Sequence, residues 1–219
     1  MNRKDFTPAV MSIVLLLGIA LTASVRHGRG ASLWCDAPAD LDLVCAALYG
    51  LWLVAEAPIA KRDATAEGKK TLDRATCQVY GCAQALTILS ALWLPSAWQA
   101  PNLAHLCGII LFIVGVSYRL WAIKTLGVFY SHRVRVVAQH RIVDSGPYRF
   151  TRHPAYAGMI IAQAGVALYF MNSVTLGVFL LALVPAIVLR ILIEERMLFG
   201  VAGYHDFAKI RKRLFPGIW

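Results

Sequence analysis

Charge is scarce in this chain. Only 16% of its 219 residues are Asp, Glu, Lys or Arg, against 58% hydrophobic, and none of the four occurs in the 36 residues from Pro154 to Leu189. The five cysteines, Cys35, Cys45, Cys77, Cys82 and Cys107, form no CxxC pair. Four of them lie in or beside apolar runs, so they support neither a zinc site nor a disulfide framework, and no metal is expected. The GxGxxG fingerprint of a dinucleotide fold is missing. Internal repeats, low-complexity tracts and flexible linkers are missing too, and the chain reads as one domain, 1–219.

What is present belongs in lipid. Mean hydropathy is +0.60, well above that of a soluble domain. Phe6 to Val25 carries no charge, Leu43 to Ala60 carries only Glu56, and Ala75 to Tyr118 carries none. Pro95, Pro101 and Asn102 divide that third stretch into spans at about 75–94 and 103–123. As one helix, Pro154 to Leu189 would be about 54 Å long, nearly twice a bilayer core of about 30 Å. Asn172-Ser173 near its middle therefore predicts a hairpin with arms at about 155–171 and 174–193. The expected fold is all-α and polytopic, with about six transmembrane helices, a C-terminal helical hairpin and an amphipathic tail. The first segment reads as a retained helix. Arg3, Lys4 and Thr22-Ala23-Ser24 also fit a cleaved signal peptide.

The basic residues supply an orientation. With both termini cytoplasmic, 19 of the 22 Lys and Arg fall on the inner side, and only Arg26 and Arg29 lie outside. The net charge of +10 is then topological, with added attraction to the headgroups of membrane lipids. It is scattered over four loops, which argues against a nucleic-acid partner. Within this scheme 1–123 holds four helices, 124–155 a cytoplasmic loop, 156–193 the hairpin and 194–219 a cytoplasmic tail helix. The tail from Tyr204 to Trp219 puts Phe207, Ile210 and Leu214 on one helical stripe among basic residues. Glu56 and Arg119, ionisable within apolar spans, either pair with each other or snorkel to the surface.

The polar chemistry gathers after Ile123. A hairpin brings its two ends together, so Arg152-His153-Pro154 should neighbour Arg190 and Glu194-Glu195 at the lipid–water boundary. Each element has a plainer reading. Ser145-Gly146-Pro147 is turn chemistry, Pro154 a helix start, Arg149 and Arg152 snorkelling residues, and Glu194-Glu195 a helix end in water. Arg190 is harder to set aside, because it stands four residues before Glu194 on one helical face.

The block Gly146-Pro147-Tyr148-Arg149-Phe150-Thr151-Arg152-His153-Pro154-Ala155-Tyr156-Ala157-Gly158 follows His140-Arg141-Ile142-Val143. One hairpin later come Arg190, Glu194-Glu195 and Leu198. Together these resemble the isoprenylcysteine carboxyl methyltransferase family and the related phospholipid methyltransferases, over roughly residues 119–216. The resemblance implies an integral membrane enzyme that uses S-adenosylmethionine. It also implies that His140, Arg141, Ile142, Val143, Tyr148, His153, Pro154, Ala155, Tyr156 and Glu194 surround the cofactor. Arg190 would face the acceptor carboxylate, with Arg152 as a second substrate contact and Arg190 and Glu194 as the catalytic pair. Residues 129–139 receive no assignment.

The implied function is methyl transfer to a lipophilic or lipidated acceptor at the cytoplasmic face, with carboxyl O-methylation of the prenylcysteine type first. A carboxylate acceptor needs no general base. A lipid amine or a thiol would need one, and Glu195 and His153 are then the candidates. A nicotinamide-dependent membrane reductase of the sterol type and a non-enzymatic membrane scaffold stay open as other classes.

Overall fold

The computed structural model describes residues 13, 15–21, 24, 39–65, 74–98, 100–132, 142–217 and 219. Among them the chain is helical, with one isolated bridge between Thr151 and Lys212. Helix α1 spans Ala39–Thr65, α2 Arg74–Trp93, α3 Leu103–Leu126, α4 Pro154–Phe170, α5 Ser173–Leu198 and α6 Tyr204–Ile210.

Among the described residues three stretches are long and apolar enough to cross a membrane: Asp42–Lys61, Leu103–Phe129 and Ser173–Leu198. Leu51, Leu103, Leu106, Val114 and Leu181 on these helices are exposed, an apolar surface that suits lipid contact. Each of the other three expected spans differs in its own way. Helix α4 has only 17 residues. Helix α2 forms where a span was expected, but Thr76, Gln84 and Thr87 lower its hydropathy while facing the interior. It nonetheless runs the height of the bundle. Its Tyr80 lies edge-on to Tyr156 at one end, and its Ser90 Oγ is 3.0 Å from Thr175 Oγ1 at the other. The expected first span falls largely outside the described residues. Residues 15–21 are helical, with Leu15 and Ile19 buried.

Local chemistry marks the helix ends. Asn102 caps α3, accepting from the amides of Ala104 and His105, and His105 Nδ1 accepts in return from the Asn102 amide. This is a capping box with His in the Glu position. Pro154 opens α4, where its missing N–H costs nothing. The predicted hairpin turn forms at Met171 and Asn172, and Asn172 Oδ1 accepts from the Thr175 amide at 2.8 Å. The hairpin tip is pinned from the segment that follows α2, where Trp98 Nε1 donates to Leu168 O at 2.9 Å. A π-helical stretch at Phe179–Leu183 was not foreseen. It precedes Pro185, whose ring would clash in a regular helix, and the wider turn relieves that clash.

Helices α3 and α4 pack antiparallel through two pairs of glycines, Gly108 against Gly165 and Gly115 against Gly158. A Cβ on Gly158 would lie 2.7 Å from the Arg119 amide, and one on Gly165 2.6 Å from Gly108 O. Only glycine permits this approach. In both helices the pair is seven residues apart, the repeat of a left-handed helix crossing, and small residues let backbones close up in lipid.

Above this crossing lies the Glu56–Arg119 pair, both partners buried. Arg119 donates from Nε to Glu56 Oε1 at 2.6 Å and from Nη2 to Oε2 at 2.8 Å. Its other bonds reach Tyr130 OH at 2.9 Å and Ala155 O at 3.1 Å, and Trp52 Nε1 completes Glu56 at 2.6 Å. Of the two expectations for these residues, pairing is the one observed. The fork ties α1, α3, the 130–132 segment and the start of α4 into one unit.

The tail departs from expectation. Its helix covers only Tyr204–Ile210, and Arg211 takes extended backbone at φ −116°, ψ 140°. Phe207 and Leu214 are buried as expected, but Ile210 is 79% exposed. Ile210 ends the helix facing outward, and beyond it the chain turns extended, pairs with residues 151–153 and carries Leu214 inward. The block expected as a tail helix from 194 also begins inside α5, which continues to Leu198.

Removing one partner of a buried pair strands the other's charge. Arg119→Ala should lower stability by about 3–5 kcal/mol; the melting temperature of detergent-purified protein checks it, and an unchanged value would remove the bracing role.

Candidate active site

The hairpin delivers both of its ends to one place, where two polar chains form side by side. The first is structural. The Glu195 carboxylate, 3% exposed, accepts from Arg152 Nη1 at 2.6 Å and Arg213 Nε at 2.8 Å, and lies 3.3 Å from His153 Nε2. One buried acid therefore ties the head of α4, the end of α5 and the C-terminal segment. The backbone reinforces this, as the Arg152 amide donates to Lys212 O and the His153 amide to Arg213 O, each at 2.9 Å. Arg152 Nε also reaches Arg211 O at 2.9 Å.

The second chain faces the mouth. Arg190, 2% exposed, donates from Nε to Tyr156 OH at 2.7 Å, and Tyr156 OH donates to Glu194 Oε2 at 2.9 Å. Arg190 Nη2 also bonds His132 O, and its guanidinium lies 5.7 Å from the centre of the Tyr80 ring. The i, i+4 spacing sets Arg190 and Glu194 on one face of α5, and Tyr156, one turn into α4, bridges them. A cation and a half-buried carboxylate thus stand on either side of one phenol. The arrangement can hold an anion at one end and a cation or a hydroxyl at the other.

Most of the expected site residues meet here. Arg190, Glu194 and Tyr156 share one chain of hydrogen bonds, and Arg152 and His153 share the other. The His153 ring is turned into the Glu195 cluster, 5.9 Å from Tyr156. Pro154 and Ala155 are buried in the first turn of α4. Ile142 and Val143 pack half-buried against the group containing Tyr148, Ala155, Tyr204 and Phe207. His140 and Arg141 lie outside the described residues. Burial, and after it the neighbouring Tyr130 and Glu194, push the Tyr148 phenol well above its ordinary pKa. Burial, then Glu195 and Glu194, do the same for Tyr204. Both phenols therefore stay neutral at working pH.

Three contributors were not foreseen: Arg213, His132 and Tyr80. The neighbourhoods of His132 and Tyr80 carry no distinctive spacing, Arg213 stands in the basic tail beyond Phe207, and only packing brings all three to the site. The glycine pairs at 108/115 and 158/165 were the one legible signal that was missed.

Residues 108–200 match the isoprenylcysteine carboxyl methyltransferase (ICMT) family. Over that stretch the chain is similar to this family. A probable protein-S-isoprenylcysteine O-methyltransferase of Oryza sativa subsp. indica is 32% identical over 107 residues, covering 47% of this chain and 56% of that protein. The protein-S-isoprenylcysteine O-methyltransferase of Saccharomyces cerevisiae is 33% identical over 112 residues, covering 49% and 47%. The uncharacterized protein YpbQ of Bacillus subtilis is 30% identical over 105 residues, covering 48% and 58%. The chain spans about half the length of the curated relatives it matches. The ICMT stretch holds Arg119, Tyr156, Arg190 and Glu194, but not Glu56, Tyr80 or Arg213.

Glu195→Gln removes the charge that Arg152 and Arg213 share. With about 1.5–3 kcal/mol lost per bond to a charged group, amide hydrogen exchange across 211–215 should speed up tenfold or more. Glu194→Gln should leave that exchange unchanged.

Proposed function

We propose that this protein is an integral membrane methyltransferase that uses S-adenosylmethionine to methylate the carboxylate of a lipophilic, prenylcysteine-type acceptor. The observation that carries the reading is the Arg190–Tyr156–Glu194 chain, a buried guanidinium one phenol away from a carboxylate at the hairpin mouth. The similarity of residues 108–200 to the ICMT family and the printed names of the relatives support it. The cytoplasmic face, with both termini inside, follows from the basic-residue bias and belongs to the same proposal.

The residues present fit the cofactor's chemistry. S-adenosylmethionine bears a sulfonium, an ammonium, a carboxylate and a nucleoside, and when bound it supplies an electrophilic methyl group. Glu194 would take its ammonium or a ribose hydroxyl. Tyr148 and Tyr156 would offer aromatic faces, worth about 0.5–2 kcal/mol each to a desolvated cation. Ile142 and Val143 would offer backbone polar groups, as would His140 and Arg141, and Pro154 and Ala155 would line the same side. His153 would contribute a ring face, since its nitrogen is turned to Glu195.

The protein's own work is positioning and desolvation. Arg190 would hold the acceptor carboxylate in a site screened from water, so that a weak, normally hydrated nucleophile approaches with little reorganisation. Alignment for in-line displacement can supply several kcal/mol. No proton has to move, which matches a site whose Tyr148 and Tyr204 phenols stay neutral. Arg152 would act through Glu195, keeping the head of α4 in register.

Two measurements test this. S-adenosylhomocysteine at 100 times its Kd should stabilise purified protein by about 2.7 kcal/mol, whereas NADPH should not; stabilisation by NADPH alone would favour the reductase class, and by neither the scaffold. With labelled cofactor and a panel of prenylcysteine, phosphatidylethanolamine and thiol acceptors, only the carboxylate should be labelled. Arg190→Ala should lower kcat/KM for that acceptor by about a hundredfold or more, as expected for a charged bond worth about 3 kcal/mol.

A further inference from the structure

Tyr80 lies on α2, outside the residues that match the family. It is 9% exposed, and its hydroxyl is shielded from solvent with no hydrogen-bond partner among the described residues. Such a group carries an uncompensated desolvation cost. Its ring packs beneath the Arg190 guanidinium at 5.7 Å and edge-on to Tyr156 at 6.4 Å and 81°. One turn earlier, Cys77 Sγ donates at 3.4 Å to His132 O, the same carbonyl that Arg190 Nη2 bonds. Helix α2 therefore forms one wall around the Arg190 head group. Two oxygens bonded to that guanidinium, Tyr156 OH and His132 O, are neutral. A carboxylate forms a stronger, charge-assisted pair with arginine than a neutral oxygen does, and so competes for it.

We infer that the Tyr80 hydroxyl is a specificity-determining donor to the acceptor's carboxylate, binding one oxygen while Arg190 binds the other. The inference rests on the carboxyl-methylation reading and names how that site selects its acceptor. Two donors on different helices fix the plane of the carboxylate and leave a lone pair on one oxygen for attack. That oxygen forms its bond to the methyl carbon as the carbon–sulfur bond breaks, the electron pair leaves on sulfur as a neutral thioether, and no proton or redox partner is involved. A hydroxyl donor beside a guanidinium also disfavours a cationic amine acceptor. A carboxamide in the same place would turn N–H groups toward donors and leave them unmatched.

Tyr80→Phe tests this, because it keeps the ring under Arg190 and removes only the hydroxyl. With an N-acylated S-prenylcysteine as acceptor, KM for the acceptor should rise tenfold or more while KM for S-adenosylmethionine stays unchanged. The preference for the acid over its carboxamide analogue as a competitive ligand should shrink by a similar factor. The melting temperature should hold or rise, since an unpartnered buried hydroxyl has been removed. Unchanged acceptor KM and unchanged acid-over-amide preference in an active protein would overturn the inference and leave carboxyl methylation standing. A marked fall in melting temperature would overturn it too, by revealing that the hydroxyl already has a structural partner. A wild-type protein that methylates an amine or a thiol but not the carboxylate would overturn the carboxyl reading and this inference together.

Discussion

The Glu195 carboxylate is the point on which this end of the molecule depends. A buried acid at the exit of one helix is intolerable alone, and here it is met by Arg152 and His153 from the entrance of the preceding helix and by Arg213 from the C-terminal segment. The three partners come from two separate parts of the chain, residues 152–153 and Arg213. Their convergence forces the uncharged run between Pro154 and Leu189 to double back, and it draws the tail out of its helix into backbone pairing with residues 151–153. Everything on the neighbouring face of α5 is positioned as a consequence. Arg190 and Glu194 can flank Tyr156 only because Glu195, one residue on, is held at the first turn of α4.

A second constraint sets the depth of the site. The glycines of α3 and α4 let two backbones meet almost without side chains between them, so Arg119 arrives beside Ala155 and donates to its carbonyl. The remaining donors of Arg119 close on Glu56 and Tyr130, which fixes the segment leading to His132. The His132 carbonyl in turn reaches Arg190. An ion pair that looks purely structural thus lies two contacts from the guanidinium assigned to the acceptor, and α1 and α2 share in building a site whose recognisable residues all lie later in the chain.

Much of this was legible, for stated reasons. A 36-residue apolar run too long for one crossing, with Asn172 near its middle, predicts a hairpin from helix length alone, and that hairpin predicts which charged residues meet. Glu56 and Arg119 could be matched because few ionisable residues lie within the apolar runs. Other features were hidden. Helix α2 reads as a crossing from its lack of charge, but Thr76, Gln84 and Thr87, which face inward, lower its hydropathy below that of the three apolar spans. The tail's amphipathic pattern was overruled by backbone pairing that no side-chain period encodes. Tyr80 had no signal beyond its own identity, and Arg213 read only as one of several basic residues of the tail.

Sequence alone determined the helical class, the doubling back of the late apolar run and the gathering of Arg152 and His153 with Arg190, Glu194 and Glu195, because length, hydropathy and helical period are local properties. Tertiary structure decided which of two adjacent acids is consumed in holding the chain together and which faces the mouth. It also decided where the tail goes and which residues of α2 wall the site. Those choices turn on burial and on partners remote in the chain, and a buried charge is stable only where the whole fold supplies its counter-charge.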